Sequence, residues 1–466
     1  MKNKLLLPLI LLGGILFSSC DNFLTELPSD QLPINEAINS SEDLKNAING
    51  IGYTTVVSRY LYGGDFWAYA DLKGENFVTA STVNQISNVG RYAHDQFSIF
   101  SEGPYLIGYR MIARANSVLS AVENISASSE RDELEGELYA LRGLVHFDLA
   151  RLYAQLPTVA ANLDEAQSGI PLATSLIEAE AKPTRATLRE TYAAIVSDLT
   201  KAMSLMQATA TKKTNGRMNY WAAKGLRARA YLYLGQNNEA LADAIDVIDN
   251  SPYALLERSA YLGSWATEGA TETLFEFLAT TIYTAQRNSV GYYFSSDGYG
   301  EVAATAGFRA FMNSVPNDIR AELIVQETGN YPGYYPKKSP GRDGSLYANN
   351  PRIMRLSELY LIAAEAIVKG GTASGAGTAE SYINTLRSKR ITSYTNVASV
   401  TLDDILEERT RELYAEGHAI WDAWRNNKTV NNSTMGVVDN TNDLCLLPIP
   451  QREIDISPGL KQNPGY

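Results

Sequence analysis

The residues best able to do chemistry lie between 404 and 425, in DILEERTRELYAEGHAIWDAWR. Glu408, Glu412 and Glu416 recur every four residues, so a helix would carry the three carboxylates on one face, with Arg411 beside them. Glu407, Arg409 and Arg425 complete the cluster. A pair of carboxylates flanking a glycosidic bond is the apparatus of glycoside hydrolysis, and that is one reading. A structural ion network that ties the helix to its neighbours is the other, and is preferred. His418 and Trp421 in the same stretch read as packing residues. The three histidines, His94, His146 and His418, are far apart and form neither HExxH nor HxH, and no C-x-x-C occurs, so zinc has little support. G-x-S-x-G, P-loop and dinucleotide-binding fingerprints are absent from the sequence. DNTND at 439–443 alternates oxygen ligands but lacks the glycine and distal glutamate of a calcium loop. No catalytic residue, metal or cofactor is therefore expected.

A second kind of chemistry, recognition through aromatic rings, has two candidate zones. Twelve aromatic residues fall in the 57 positions from Tyr53 to Tyr109, about twice the chain average, mixed with glycine and asparagine. Eleven more fall in the 65 positions from Tyr283 to Tyr347, in text such as QRNSVGYYFSSDGYG and NYPGYYPKKSPGRDG. No sustained period appears from Gly63 to Val89 of the first zone, which reads as turns and short irregular pieces, and the Gly/Pro/Tyr text of the second cannot hold a long helix. Tyr and Trp offer a rigid apolar face with a polar tip, suited to the CH faces of sugars or to peptide backbones, and loops carry recognition while helices carry the scaffold. Trp67 and Tyr69 of the first zone, with Tyr292, Tyr293 and Tyr299 of the second, are the candidate ligand platform. The competing reading makes each ring a hydrophobic peg.

The elements that must hold these zones are helical. In Arg352–Ala366, RIMRLSELYLIAAEA, the apolar residues step by three and four, Pro351 stands where a first helical turn tolerates proline, and Gly370-Gly371 ends the run. Leu134–Tyr153 and Thr187–Met206 are amphipathic helices, helix occupies Tyr105–Val122, and Ser40 or Ser41 caps another reaching Asn49. Ala228, Tyr231, Gly235, Ala240, Ala244 and Pro252 fit the tetratricopeptide spacing, in which small residues let two antiparallel helices touch. A second such pair is expected at Arg352–Lys369 and Ala379–Lys389. The fold class is thus mainly α, a tetratricopeptide-like scaffold with long irregular loop-rich regions. A helical adaptor without a small ligand is a third functional reading.

Composition narrows the setting. With 466 residues the chain can bury a large core. Its formal net charge of −12, without a basic cluster, argues against nucleic acid as a partner. Residues 1–20, MKNKLLLPLILLGGILFSSC, carry Lys2 and Lys4 ahead of a short apolar run that ends in small residues before a cysteine. FSSC resembles a bacterial lipobox. Residues 1–19 then form a lipoprotein signal peptide and Cys20 is the lipidated first residue, anchored to a membrane without spanning it. Cys445, in the apolar run LCLLPIP, reads as a buried inert thiol.

Several blocks together resemble one family. PRIMRLSELYLIAAEA, ALRGLVHFDLARLYAQLP, PNDIR, ERTRELYAEGHAIWDAWR and the ending LLPIPQREIDISPGLKQNPGY are similar to the hallmark segments of the SusD/RagB family. The resemblance implies one SusD-like domain over 20–466, with tetratricopeptide-like helices in 20–250 and a C-terminal SusD/RagB part in 260–466. It implies an aromatic-lined ligand patch on loops and a non-enzymatic role: capture of oligosaccharide, or of peptide in the RagB-like variant, at the cell surface. The implied partner is a SusC-like TonB-dependent outer-membrane barrel. A surface hydrolase remains the less favoured alternative.

Overall fold

The computed structural model describes residues 34–466 apart from 82, 84, 179, 213 and 214. Its framework is a succession of antiparallel helices, each packed on the next: Ile99–Leu119, Ser129–Tyr153, Leu188–Leu205, Tyr220–Leu234, Asn237–Asn250, Leu356–Val368 and Ala379–Ser388. Ser41–Val57 lies against the first two. The starts follow from local chemistry. Ser40, Ser128 and Asn219 each accept a backbone N–H of the first turn, and Thr187 with Glu190 forms a reciprocal capping box. Gly235, at φ 71°, ends Tyr220–Leu234 in the left-handed conformation and lets the chain reverse into the next helix. This is the tetratricopeptide-like pairing expected from the spacing.

Small residues set how closely the helices approach. A Cβ on Gly136 would lie 2.6 Å from Met206 Cγ, and one on Gly143 would lie 3.2 Å from Leu199 Cγ. The glycines of Ser129–Tyr153 therefore mark the crossing with Leu188–Leu205. One contiguous apolar core runs from Ile38 to Leu460 and joins the helical array to the irregular regions.

Four two-stranded antiparallel pairings trim the loops: Phe77–Val78 with Ala303–Ala304, Thr273–Glu276 with Arg352–Arg355, Ile324–Glu327 with Gly333–Pro336, and Val430–Asn432 with Gly436–Val438. Arg352–Arg355 is thus a strand and not the first turn of a helix; Leu356–Val368 begins only after it. The zone after Gly63 also departs from the expectation of irregular chain. Asp65–Leu72 is a helix with all eight residues buried, so its sequence has no polar face and no visible period. The run 404–425 is broken as well. Leu402–Leu413 and Ala419–Trp424 are separate helices, with Ala415 at φ 57° and Gly417 at φ 74° turning the chain between them. No helix among the described residues is long and apolar enough to cross a membrane.

Candidate ligand-binding site

The acidic cluster is a buried ion network. Glu412 accepts from Arg355 at 2.9 Å, from Arg390 at 3.1 Å and from Arg320 at 3.2 Å. Glu272 accepts from Arg355 at 2.6 Å and Arg390 at 2.8 Å, and Arg320 also holds Glu408 at 2.6 Å and Asp318 at 2.7 Å. Glu416, beyond the helix end, closes the network through Arg355 and Lys338, each at 2.6 Å. Burial alone would raise the carboxyl pKa of Glu412, but Arg390, Arg355 and Arg320 hold it well below the ordinary range; Glu272 is lowered in the same way. Carboxylates locked in ionised pairs are poor general acids. A cavity of about 360 Å³ opens beside them, where Glu408 is held by Arg320 and by Arg387 at 2.7 Å.

The three histidines are buried and separate. Burial pushes His94 down to about 2 and His146 down to about 3, and His418 is also lowered well below its usual value. Among the described residues no group of three or more His, Cys, Asp or Glu could hold a metal ion. In DNTND, Asp439 accepts from the Thr441 N–H and hydroxyl, and Asn442 accepts from Leu444 N–H, so these side chains shape their own turns. Cys445 is buried, and desolvation raises its thiol to about 12. Cys20 lies outside the described residues.

Three of the five candidate rings are core. Trp67 is 5%, Tyr69 3% and Tyr293 0% exposed. Trp67 Nε1 donates to the Tyr62 carbonyl at 2.6 Å, and its ring lies against Phe66 and Tyr62. The Tyr69 hydroxyl donates to the Cys445 carbonyl at 3.1 Å, with its ring stacked on Trp421. Tyr293 donates to Asp65 at 2.9 Å. The neighbouring glycines explain the misreading. A Cβ on Gly63 would lie 2.2 Å from the Ser58 carbonyl oxygen, and one on Gly64 2.1 Å from that of Asn288. These glycines mark backbone packed on backbone, not open loop.

Lys73, beside Tyr69, is fully buried with its ammonium 4.4 Å from the Tyr92 ring centre and 4.8 Å from that of Tyr69, donating to the Leu444 carbonyl at 2.5 Å. Desolvation pulls its pKa down to about 7. The unfolded chain, with an ordinary lysine, binds the extra proton between about pH 7 and 10.4, so this group makes stability rise with pH across that window. Lys73→Met should accordingly stabilise the protein most below pH 7, by an amount on the order of a few kcal/mol. That advantage should shrink steadily towards pH 10. A pH-independent difference between the two melting curves would remove the buried-ammonium explanation.

Tyr292 and Tyr299 are different: both are half-buried and present part of each ring to solvent. Their ring centres are 4.8 Å apart at 85°, and Tyr347 lies 5.5 Å from Tyr292. The short helix Val290–Tyr293 carries Tyr292. A Cβ on Gly291 would lie 2.5 Å from the Leu346 carbonyl oxygen, so glycine there brings the loop with Tyr347 against this helix. Gly300, at φ 60°, sits where a Cβ would meet Tyr331 at 2.6 Å, and Tyr331 N–H donates to the Ser296 carbonyl at 3.2 Å. Tyr331 and Tyr347 are half-buried, and Arg287 is exposed, on the turn just before Val290–Tyr293, where the phenols of Tyr347, Tyr292 and Tyr299 raise its pKa. The site thus gathers Tyr292, Tyr299, Tyr331, Tyr347 and Arg287. The last three were inside the second aromatic zone or beside it, but only the fold brings them to the first two. An adjoining pair, Tyr53 at 47% and Tyr283 at 52% exposure, packs edge to face at 5.1 Å. It is linked to the cluster through Thr284, whose hydroxyl donates to the Tyr347 carbonyl at 2.8 Å.

The chain thus combines a tetratricopeptide-like scaffold, a buried ion network and a half-exposed tyrosine cluster. The chain belongs to the SusD family. A model described as starch-binding associating with outer membrane matches residues 22–232, and the SusD family model matches residues 277–466. A SusD superfamily protein from Bacteroides vulgatus superposes with a TM-score of 0.85 at 30% identity, covering 92% of this chain and all of that one. SusD-like protein P25 of Formosa agariphila is 23% identical over 96% of this chain and 97% of its own length. The starch-binding protein SusD of Bacteroides thetaiotaomicron is 33% identical over 122 residues, 24% of this chain and 21% of that protein. The chain is thus a SusD-like, outer-membrane-associated binding protein.

Proposed function

We propose that this protein is held on the cell surface by lipid on Cys20, captures an oligosaccharide through the Tyr292–Tyr299–Tyr331–Tyr347 cluster, and passes it to a SusC-like TonB-dependent barrel. The observation that carries the reading is the cluster itself: four half-exposed rings set by glycine-tight turns on a rigid helical frame. Such faces stack on the CH surfaces of sugars, and the starch-binding name of the family model and of one relative supports glycan as the ligand class. A ring covering about 40 Å² of apolar ligand contributes on the order of 1 kcal/mol. Four rings give about 4 kcal/mol, so stacking alone, less the cost of ordering a flexible oligomer, yields an affinity of about millimolar or weaker.

Affinity electrophoresis against soluble polysaccharides tests the capture step. Retention by a glycan without release of reducing ends is expected; retention only by peptides would move the protein to the RagB-like variant. Cys20→Ala should leave a folded protein that leaves the membrane fraction, and persistence there would remove the lipid anchor. Mild detergent extraction at low salt should bring down a barrel-sized partner, and recovery as a free monomer counts against delivery to a barrel.

A further inference from the structure

Arg287 gives the tyrosine cluster a charge that the protein itself leaves unanswered. It is exposed, it leads directly into the helix that carries Tyr292, and its surroundings are the hydroxyls of Tyr347, Tyr292 and Tyr299. Among the described residues it forms no ion pair, in a chain with 52 acidic against 40 basic residues. Most other charged groups around the cluster are engaged, while Asp343, on the loop leading to Tyr347, is exposed and 3.9 Å from Arg342. Arg59 holds Asp65 at 3.1 Å, and Arg342 holds Glu268 at 2.6 Å. Glu327 pairs with Lys337 and accepts the Ser296 N–H at 2.6 Å, while Glu301 accepts three backbone N–H groups at 85–87. Asp297 is exposed but lies towards Gly329, on the Tyr331 side of the cluster. The backbone just before Arg287 is also strained: Gln286, not glycine, sits at φ 55°. A bulky residue in the left-handed region persists only where the surroundings fix it.

Resting on the capture reading above, we infer that the glycan taken by this site is acidic, with a carboxylate or sulfate at the edge of a sugar ring stacked on Tyr292 and Tyr347. The planar guanidinium offers a forked pair of donors that matches either oxyanion. A neutral glycan would use the rings and leave the fork to water. An acidic one places its charge beside the stacked ring, next to the turn that carries Arg287, a turn tied to the Tyr347 loop by the Thr284 hydroxyl at 2.8 Å.

The test uses the full mature protein and two pairs of polymers that differ in charge alone: galacturonan with its methyl ester, and dextran sulfate with dextran. One acidic member should bind at least tenfold more tightly than its neutral partner. Which pair shows the difference distinguishes carboxylate from sulfate. Arg287→Ala should bring the acidic member down to the neutral level, Arg287→Lys should keep part of the preference, and 0.5 M salt should weaken the acidic member only. If wild type and Arg287→Ala bind both members alike while Tyr292→Ala loses both, the cluster stands and the acidic class is wrong. If sulfate binding survives Arg287→Ala with undiminished salt dependence, the attraction is a diffuse one and the inference also fails. Retention of none of the four polymers overturns the acidic class, and retention of neutral glycans of other backbones would leave the capture reading in place.

Discussion

Glu412→Ala should lower the melting temperature by about 3–5 °C, and by more than any substitution of an exposed acid on the same helix. Glu412 is wholly buried and faces three guanidinium groups, from Arg320, Arg355 and Arg390. Two of these share Glu272 as well, so removing Glu412 leaves each of three buried guanidinium groups one partner short and Arg390 with Glu272 alone among the acids. Breaking such a pair from one side costs about 3–5 kcal/mol, mainly for the charge left behind. In a chain of this length each kcal/mol moves the midpoint by only about 1 °C. The network also joins distant parts of the sequence: Arg320 follows a loop, Arg355 ends a strand, Arg390 ends a helix, and Glu272 precedes the partner strand. Its loss therefore loosens the seam between Leu356–Val368 and Leu402–Leu413 and not one helix alone. Glu407→Ala, on the exposed face, is the matched control and should leave the midpoint unchanged. The pH dependence has a defined sign. Glu412 and Glu272 titrate below the usual carboxylate range when folded, so their contribution is complete above about pH 5 and drains away as the pH falls through 4. Calorimetry of both variants at pH 7 and pH 4 checks this. A Glu412→Ala midpoint within 2 °C of wild type would mean the arginines re-pair freely.

The scaffold was legible because its helices keep one wet face. Leu188–Leu205 buries Leu188, Thr191, Tyr192, Ile195, Asp198, Leu199 and Ala202 and exposes Arg189, Glu190, Ala193, Ser197, Thr200 and Lys201, which is the period that sequence displays. Legibility failed where both faces are covered. Asp65–Leu72 is buried throughout and reads as irregular aromatic text. Arg352–Arg355 has the apolar spacing of the helix that follows, yet it pairs with Thr273–Glu276, a partner some 80 residues earlier that no local pattern announces. The ion network was readable as a structural device, since Glu408 and Glu412 stand at helical spacing amid arginines. Its members Glu272, Asp318 and Arg320 come from elsewhere in the chain.

The ligand site divides on the same physical ground. Glycine next to an aromatic residue was read as loop freedom. At Gly63 and Gly64 it instead signals backbone contact, and Trp67 and Tyr69 are consequently enclosed. At Gly298 and Gly300 the backbone is equally tight, but the turn it makes lies at the surface and leaves Tyr299 half-exposed. Sequence alone carries no mark that separates these cases, because both need glycine for close approach and only the surrounding core decides which ring reaches water.

That division sets up the clearest contrast between variants. Tyr292→Ala with Tyr347→Ala should reduce glycan binding by about 30-fold to 100-fold, the equivalent of two rings at roughly 1 kcal/mol each plus the edge-to-face support that Tyr292 gives Tyr299. The melting temperature of that double variant should move by no more than about 2 °C, because both rings are half-exposed and neither hydroxyl holds a buried partner in the core. Trp67→Ala should do the reverse. Its ring is enclosed by Tyr62 and Phe66 and lies against Gly417, where a Cβ would already be 3.2 Å from the indole, so truncation opens a cavity costing about 3–5 kcal/mol. The midpoint should fall by about 3–5 °C, while affinity measured well below it stays within threefold of wild type. Titration of each variant with the same retained polysaccharide, alongside thermal melts, separates the two effects. Normal binding by Tyr292→Ala with Tyr347→Ala would place the ligand elsewhere on the surface. Lost binding by a folded Trp67→Ala would show that the covered first zone opens to the ligand, and would return Trp67 and Tyr69 to the site.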